Sequence, residues 1–372
     1  MLFKYLKSLW TKLVNSKPLT KVLTIVITLI LVFMAVISFW KVDYVIYTPG
    51  FLGNPVGTVN VDSENSKGRI NVVSVISYDK PSLIQLWSAR LDKRILVEKV
   101  DHDYSDEDER PVNITSKWIS INKAIIYAYE KAQEVDPSIT LVKSFMGAIV
   151  YFSSDKAETS LTSSDIITEV EGVKITSYDH LVEIYNNIIG KTKFAGDYIN
   201  FKVRTRQSET LTERSAIIYA DDDGRLTTGL YLDEYYDLDG TNSKPGFKIN
   251  YRENVDSSGN SGGAMLALSI YNSLIKEDVT KGKFVVGTGT IDLDGKVGRI
   301  GCVEQKVVKA YQNKADYFFV CDNVYTDSNG NSLPTDYELC IKAAQSYGYD
   351  TNFIKPVKTF DDILNELKKG AN

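Results

Sequence analysis

The sequence predicts a membrane-anchored, multidomain chain of mixed α/β (α+β) class, and three observations carry that expectation. At 372 residues the chain is long enough for two or three domains, each able to bury a core without staples. Residues 22–40, VLTIVITLILVFMAVISFW, run without a charge. Beyond them, β-branched and alternating stretches interleave with stretches of helical period. The formal net charge of -5 excludes a general nucleic-acid binder, which needs a basic surface to neutralise phosphates.

The first 21 residues hold five lysines, Lys4, Lys7, Lys12, Lys17 and Lys21, and no acid. The 19 uncharged residues that follow would span roughly 28 Å as a helix, close to a bilayer core. They exceed the roughly 7–15 residues of a cleavable signal core, so an uncleaved signal anchor is expected over residues 22–40. The flanking lysines then place residues 1–21 in the cytoplasm and everything after Trp40 outside. Within residues 2–14, Leu2, Phe3, Leu6, Leu9, Trp10 and Leu13 recur at helical spacing opposite the lysines, a pattern that suits the inner leaflet surface.

Residues 41–137 read as an extracytoplasmic α/β region. Pro49, Gly50, Gly53, Pro55 and Gly57 break its first extended stretches into turns. RINVVSVI at 69–76 reads as a strand, and helical patterns follow at 81–91 and 119–135. Between them the acidic run DHDYSDEDER, residues 101–110, reads as a solvated loop. His102 has acidic neighbours but no second histidine near it, so no metal site is expected. Cys302, Cys321 and Cys340 show no metal-ligand spacing; they read as small buried residues, with a Cys321–Cys340 disulfide as the alternative.

Residues 138–215 form a compact unit: a strand at 145–152, a helix at 178–189, and the alternating strand DYINFKVRTR. Leu161, Asp165, Ile166, Ile167, Val170 and Gly172 follow the pattern of a PDZ domain, which this stretch resembles. The resemblance implies that a peptide adds as a strand between the segment of Gly147, Ala148 and Ile149 and the helix that carries His180. His180 is then a groove or surface residue rather than a base. Two glycine motifs imply no cofactor. Gly190-Lys191-Thr192 has Tyr185 where a phosphate loop needs glycine, and GTGT at 287–290 lacks the third glycine of a dinucleotide fingerprint.

The stretch DSSGNSGGAM, residues 256–265, sets Ser261 among glycines just before a helical pattern. One reading is a flexible turn with a capping serine. The other is a nucleophile at a helix mouth, where unpaired N–H groups and the positive end of the dipole stabilise an oxyanion. A serine nucleophile needs a base, and the only histidines are His102 and His180, both far upstream. A lysine desolvated on a rigid apolar element can take that role. The sequence offers Lys306 and Lys309 after the strand KFVVGTGTI, with Lys309 on the helix surface.

From 271 to 323, the run YNSLIKEDVTKGKFVVGTGTIDLDGKVGRIGCVEQKVVKAYQNKADYFFVCDN resembles the proteolytic domain of Lon proteases. The order of anchor, PDZ-like unit and this domain is similar to the membrane-anchored, PDZ-containing Lon-like proteases of Gram-positive bacteria. Carried over by position, the resemblance makes Ser261 the nucleophile, Lys306 its general base and Thr288 the hydroxyl that orients the lysine. Backbone N–H groups around Gly259, Asn260 and Gly262 would hold the oxyanion. The family pattern G-P-S-A-G is here Gly259-Asn260-Ser261-Gly262-Gly263, a looser loop, and Cys302 stands where glycine is commoner. Residues 216–372 would form this domain, ending in a helix whose cap is Thr359 with Asp362.

The implied activity is ATP-independent serine endopeptidase action on protein or peptide substrates, without cofactor or metal and with the PDZ-like unit selecting or presenting them. A catalytically weak scaffold that binds membrane-protein tails is the alternative. The family also admits a homo-oligomer.

Overall fold

A computed structural model of the chain describes residues 11, 17–63, 68–100, 106–253, 257–327 and 330–370. His102 and the apolar residues 2–10 and 13 of the expected surface helix lie outside them. The helices are α1 Pro18–Phe39, α2 Leu83–Ala89, α3 Asp106–Gln133, α4 Tyr178–Ile188, α5 Gly263–Leu274, α6 Val303–Gln312, α7 Asp336–Tyr347 and α8 Phe360–Lys369. The strands of four residues or more are β1 Tyr44–Gly53, β2 Arg69–Asp79, β3 Leu96–Lys99, β4 Thr140–Ser153, β5 Ile166–Val170, β6 Tyr198–Thr205, β7 Ser208–Ile217, β8 Leu230–Lys244, β9 Phe284–Gly287, β10 Tyr317–Cys321 and β11 Ile354–Val357. The class is therefore mixed α/β. Residues 1–48 with 76–103 form one compact unit, and residues 49–75 with 104–372 form a second.

In the first unit, α1 has 22 residues and starts with Pro18, whose missing N–H costs nothing in a first turn. At about 33 Å it is long and apolar enough to cross a membrane. Residues 44–47 of β1 pair antiparallel with β3, from Tyr44 opposite Lys99 to Tyr47 opposite Leu96. A capping box opens α2: the Ser82 hydroxyl accepts from the Gln85 N–H, and the Gln85 side chain accepts from the Ser82 N–H.

The second unit holds two main sheets. In the first, β11, β10, β9 and β2 run parallel in that order. Its residues alternate between two cores, as the pleat requires. Val285, Phe319 and Val357 face α3, α5 and α8, while Val286, Phe318, Val320 and Ile354 face α6 and α7. Parallel strands covered on both faces are buried throughout, which explains the continuous apolar run FVVG of β9.

All twelve residues of α5 are buried, so its amphipathic-looking sequence serves as a core helix, with α3 among its cover. Helix α3 begins at Asp106 rather than at 119, so residues 106–110 of the acidic run are helical and not a loop. Acidic residues at a helix start are favoured by its dipole, and that outweighs their solubility as a loop signal.

The second sheet runs β8, β4, β5, β6, β7, every pair antiparallel. Its core contains Leu161, Ile167, Val170, Ile199, Phe201 and Val203, and α4 adds Leu181 and Ile184. The expected free edge at Gly147, Ala148 and Ile149 does not exist. These residues pair with Tyr235, Glu234 and Asp233 of β8 on one side, and Ala148 and Ile149 pair with Ile167 and Ile166 on the other. Strand β8 lies beyond residues 138–215, the span the sequence suggests for this unit. It occupies the edge and leaves its own outer side beside α4.

Candidate active site

Strand β9 ends at Gly287, and the next two residues reach the Ser261 loop. This is the carboxyl end of a parallel sheet, where α/β folds open their binding crevices. Thr288 keeps the strand pairing for one more step, its N–H donating to Phe319 O at 3.0 Å. The Gly289 N–H donates to Ser261 O at 2.7 Å, and Ala264 N–H returns a bond to Gly289 O at 3.0 Å. Gly289 has φ +139°, and a Cβ there would stand 2.6 Å from Val297 Cγ1. Only glycine allows this close approach.

From its other side the loop is held by α3. The Gly259 N–H donates to Asn113 O at 3.0 Å, and the Ser120 hydroxyl donates to Asn260 O at 3.2 Å. Gly259 has φ +85°, which suits the glycine found there. The Gly263 N–H closes the turn onto Asn260 O at 3.1 Å. Gly262 is the N-cap of α5 and makes no side-chain cap. Among the described residues, no backbone carbonyl takes the N–H of Ser261 or Gly262. These two N–H groups, at the positive end of α5, are placed to meet an anion. Gly259, whose N–H is committed to Asn113, is not a donor of that kind.

Lys306 sits in the second turn of α6, with 2 % of its surface exposed. Burial disfavours the ammonium and pulls its pKa down to about 8 from 10.5. Its Nζ donates to Thr288 Oγ1 at 3.2 Å, and Thr288 Oγ1 donates in turn to Ser261 O at 2.9 Å. A hydroxyl can accept and donate at once, so Thr288 links the lysine to the backbone of the serine. Among the described residues no hydrogen bond joins Ser261 Oγ to Lys306 directly. Ser261 is half-buried and Lys309 partly exposed, which leaves Lys306 as the desolvated lysine beside the loop.

Asp336, 1 % exposed at the start of α7, was invisible as a site residue in the sequence. Its Oδ2 accepts from Ile300 N–H at 2.9 Å, and its Oδ1 lies 3.3 Å from Arg299 Nε. Both partners belong to the segment that leads into α6, so the carboxylate fixes the approach to Lys306. Burial raises the Asp336 carboxyl, and the positive charges of Arg299 and Lys306 oppose that rise. Cys302, the N-cap of α6, has φ +55°, a left-handed conformation that glycine adopts more readily. None of the three cysteines forms a disulfide; Cys321 and Cys340 are buried.

Lys123 of α3 links the second sheet to the turn after Ile291. It pairs with Asp233 of β8 at 2.7 Å and with Asp292, in the turn after Ile291, at 2.7 Å. Burial opposes its charge, and the two carboxylates more than offset that. Nothing local marked Lys123, Ser120 or Asn113, because each acts across more than 100 residues of sequence.

An open groove of about 560 Å³ lies between α4 and the edge of β8, lined by Tyr178, Leu181, Val182, Tyr185, Leu230 and Leu232. The Tyr178 hydroxyl donates to Leu232 O at 3.1 Å. His180 lies on α4 but outside this lining, its Nδ1 3.0 Å from Thr176 Oγ1.

No protein-family profile matches this chain, and no curated protein does. Among solved structures, the second domain of the Listeria protein Lin2157 is similar over 23 % of this chain and 83 % of that one. The identity is 22 % and the TM-score 0.19, too low for the likeness to carry any argument.

Proposed function

We propose that the chain is a membrane-anchored serine endopeptidase that works with a Ser261/Lys306 dyad and needs no nucleotide. The observation that carries this reading is the buried Lys306, held at a pKa of about 8 and joined through Thr288 to the Ser261 loop. A lysine kept partly neutral beside a serine at a helix N-terminus is the combination that activates a hydroxyl without histidine.

Neutral Lys306 leaves Thr288 to accept the Ser261 Oγ proton as Oγ bonds to the scissile carbonyl carbon. The oxyanion is held by the N–H groups of Ser261 and Gly262. Protonated Lys306 then gives its proton to the departing amine, leaving an acyl-serine. Water, deprotonated by the same lysine, releases the acid and restores the serine. Residues 22–40 anchor the chain, with the lysine-rich end cytoplasmic and the residues after Trp40 outside. The groove between α4 and Leu230–Lys244 takes an extended peptide as an added strand, in exchange for the Tyr178 bond to Leu232.

The absence of a direct Ser261–Lys306 bond among the described residues favours one second reading, a scaffold with the same fold and no activity. The two separate when the full chain, in lipid vesicles, is given an unfolded protein without nucleotide. Cleavage that disappears in folded Ser261→Ala and Lys306→Ala supports the enzyme. No cleavage by the wild type, or cleavage that survives in Ser261→Ala, removes it.

A further inference from the structure

We propose that α2 lies in the interfacial layer of the bilayer that α1 crosses, with Trp87 and Leu91 seated among lipid headgroups and the upper acyl chains. This rests on reading α1 as a membrane span, and it assigns the partner of an apolar face that the fold leaves open.

The end of α1 and the start of α2 are tied by backbone hydrogen bonds. Trp40 caps α1, its N–H donating to Val36 O at 3.0 Å, and Trp40 O accepts from Leu83 N–H at 2.8 Å. The Val42 N–H donates to Pro81 O at 3.0 Å, and Lys41 bridges to Ser82. The first residue of α2 is therefore within hydrogen-bond reach of the residue that ends the span. Trp87, four residues on, is displaced from Leu83 by about 6 Å along the helix. Headgroup layers are about 5–8 Å thick on each side of the core, so Trp87 stays within about one headgroup thickness of the end of the span. The capping box at Ser82 and Gln85 makes this first turn rigid.

The faces of α2 agree with that placement. Leu86 and Ala89, three residues apart, are buried, and Ile37 is the buried residue of α1. Trp87 of α2 and Leu91, in the turn that follows the helix, are 47 % and 90 % exposed, with Trp40 at 61 %. Single exposed apolar residues need no explanation, but exposed apolar residues on a helix tied by its backbone to the end of an apolar span mark a lipid-facing surface. Tryptophan suits that depth, since its ring is apolar and its N–H meets the headgroups. Arg90, between the two in sequence, is exposed with its guanidinium 5.3 Å from the Tyr44 ring centre, and its cationic head suits lipid phosphates.

The test uses the full chain in lipid vesicles, with 5-fluorotryptophan at its four tryptophans, 10, 40, 87 and 118. The Trp87 and Trp40 fluorine signals are assigned by their loss in Trp87→Phe and Trp40→Phe. A lipid with a nitroxide near its headgroup should broaden the Trp87 signal about as strongly as that of Trp40, and a soluble gadolinium chelate should broaden Trp87 little. If Trp40 broadens with the lipid nitroxide while Trp87 responds only to gadolinium, the span stands and the proposal falls. A Trp87 signal shielded from both reagents means that protein covers the face, which also overturns it. Should neither Trp40 nor Trp87 respond to the lipid nitroxide, the membrane reading of α1 fails and takes the proposal with it.

Discussion

Lys306 donates to Thr288 Oγ1 across 3.2 Å from a position with almost no solvent contact. The desolvation that lowers its pKa to about 8 sets the pH response of a lysine base. Only the neutral amine can take the Ser261 proton, and at pH 7 about a tenth of the molecules hold it in that form. Peptidase kcat/KM should therefore rise about tenfold per pH unit below 8 and level off above it. A stopped assay from pH 6 to pH 10 reads this directly, and a flat profile would remove Lys306 as the base.

Thr288 holds both ends of the link between Lys306 and Ser261 O. Thr288→Val keeps the volume and removes the hydroxyl, so activity should fall on the order of 100-fold with little change in KM. Thr288→Ser restores a hydroxyl and should recover most of it. Equal losses in the two variants would make the methyl, and not the hydrogen bonds, the important part.

The same burial makes Lys306 a cost to stability. Its folded pKa, about 8, lies below the unfolded value of 10.5, so the penalty is full below pH 8 and fades as pH rises from 8 to 10.5. Lys306→Met should stabilise the fold by up to about 3 kcal/mol at pH 7, less whatever the Thr288 bond contributes. Above pH 10.5 the gain should vanish. Denaturant unfolding of both proteins at pH 7 and pH 10.5 checks the sign, and a variant that is less stable at pH 7 contradicts it.

Gly289 carries the N–H that holds Ser261 O, and its positive φ and the nearby Val297 Cγ1 leave no room for a side chain. Gly289→Ala should cost about 3 kcal/mol and lower activity, since the backbone must move away from Ser261. Gly301→Ala, where a Cβ would meet nothing within 4 Å, should change stability by less than about 0.5 kcal/mol. Thermal unfolding of the pair gives the comparison.

Much of the fold was legible because its signals are local. The uncharged run before Trp40, the helix after Ser177, the strand FVVG and the capping box of Thr359 with Asp362 each follow from neighbouring residues. Ser261 and Lys306 are legible from the glycine loop and the lysines after KFVVGTGTI, Thr288 only by resemblance, and the fold brings all three to one end of the parallel sheet. The groove lies at Leu230–Lys244 and not at the expected strand of Gly147 to Ile149. Leu230–Lys244 reads in isolation as a polar, acidic stretch, and its pairing with Thr140–Ser153 is a long-range event without a local sign. Asp336, Lys123, Ser120 and Asn113 were missed for the same reason. Their roles exist only once distant segments meet.

The most direct test of the account is to trap the acyl-enzyme. The full chain is mixed with an activated peptide ester, quenched in acid, and mapped by mass spectrometry at several pH values. The account predicts an acyl group on Ser261 that forms faster as pH rises to about 8 and is absent from Lys306→Ala. An acyl group on another residue, or one that forms on Ser261 equally well without Lys306, would contradict it.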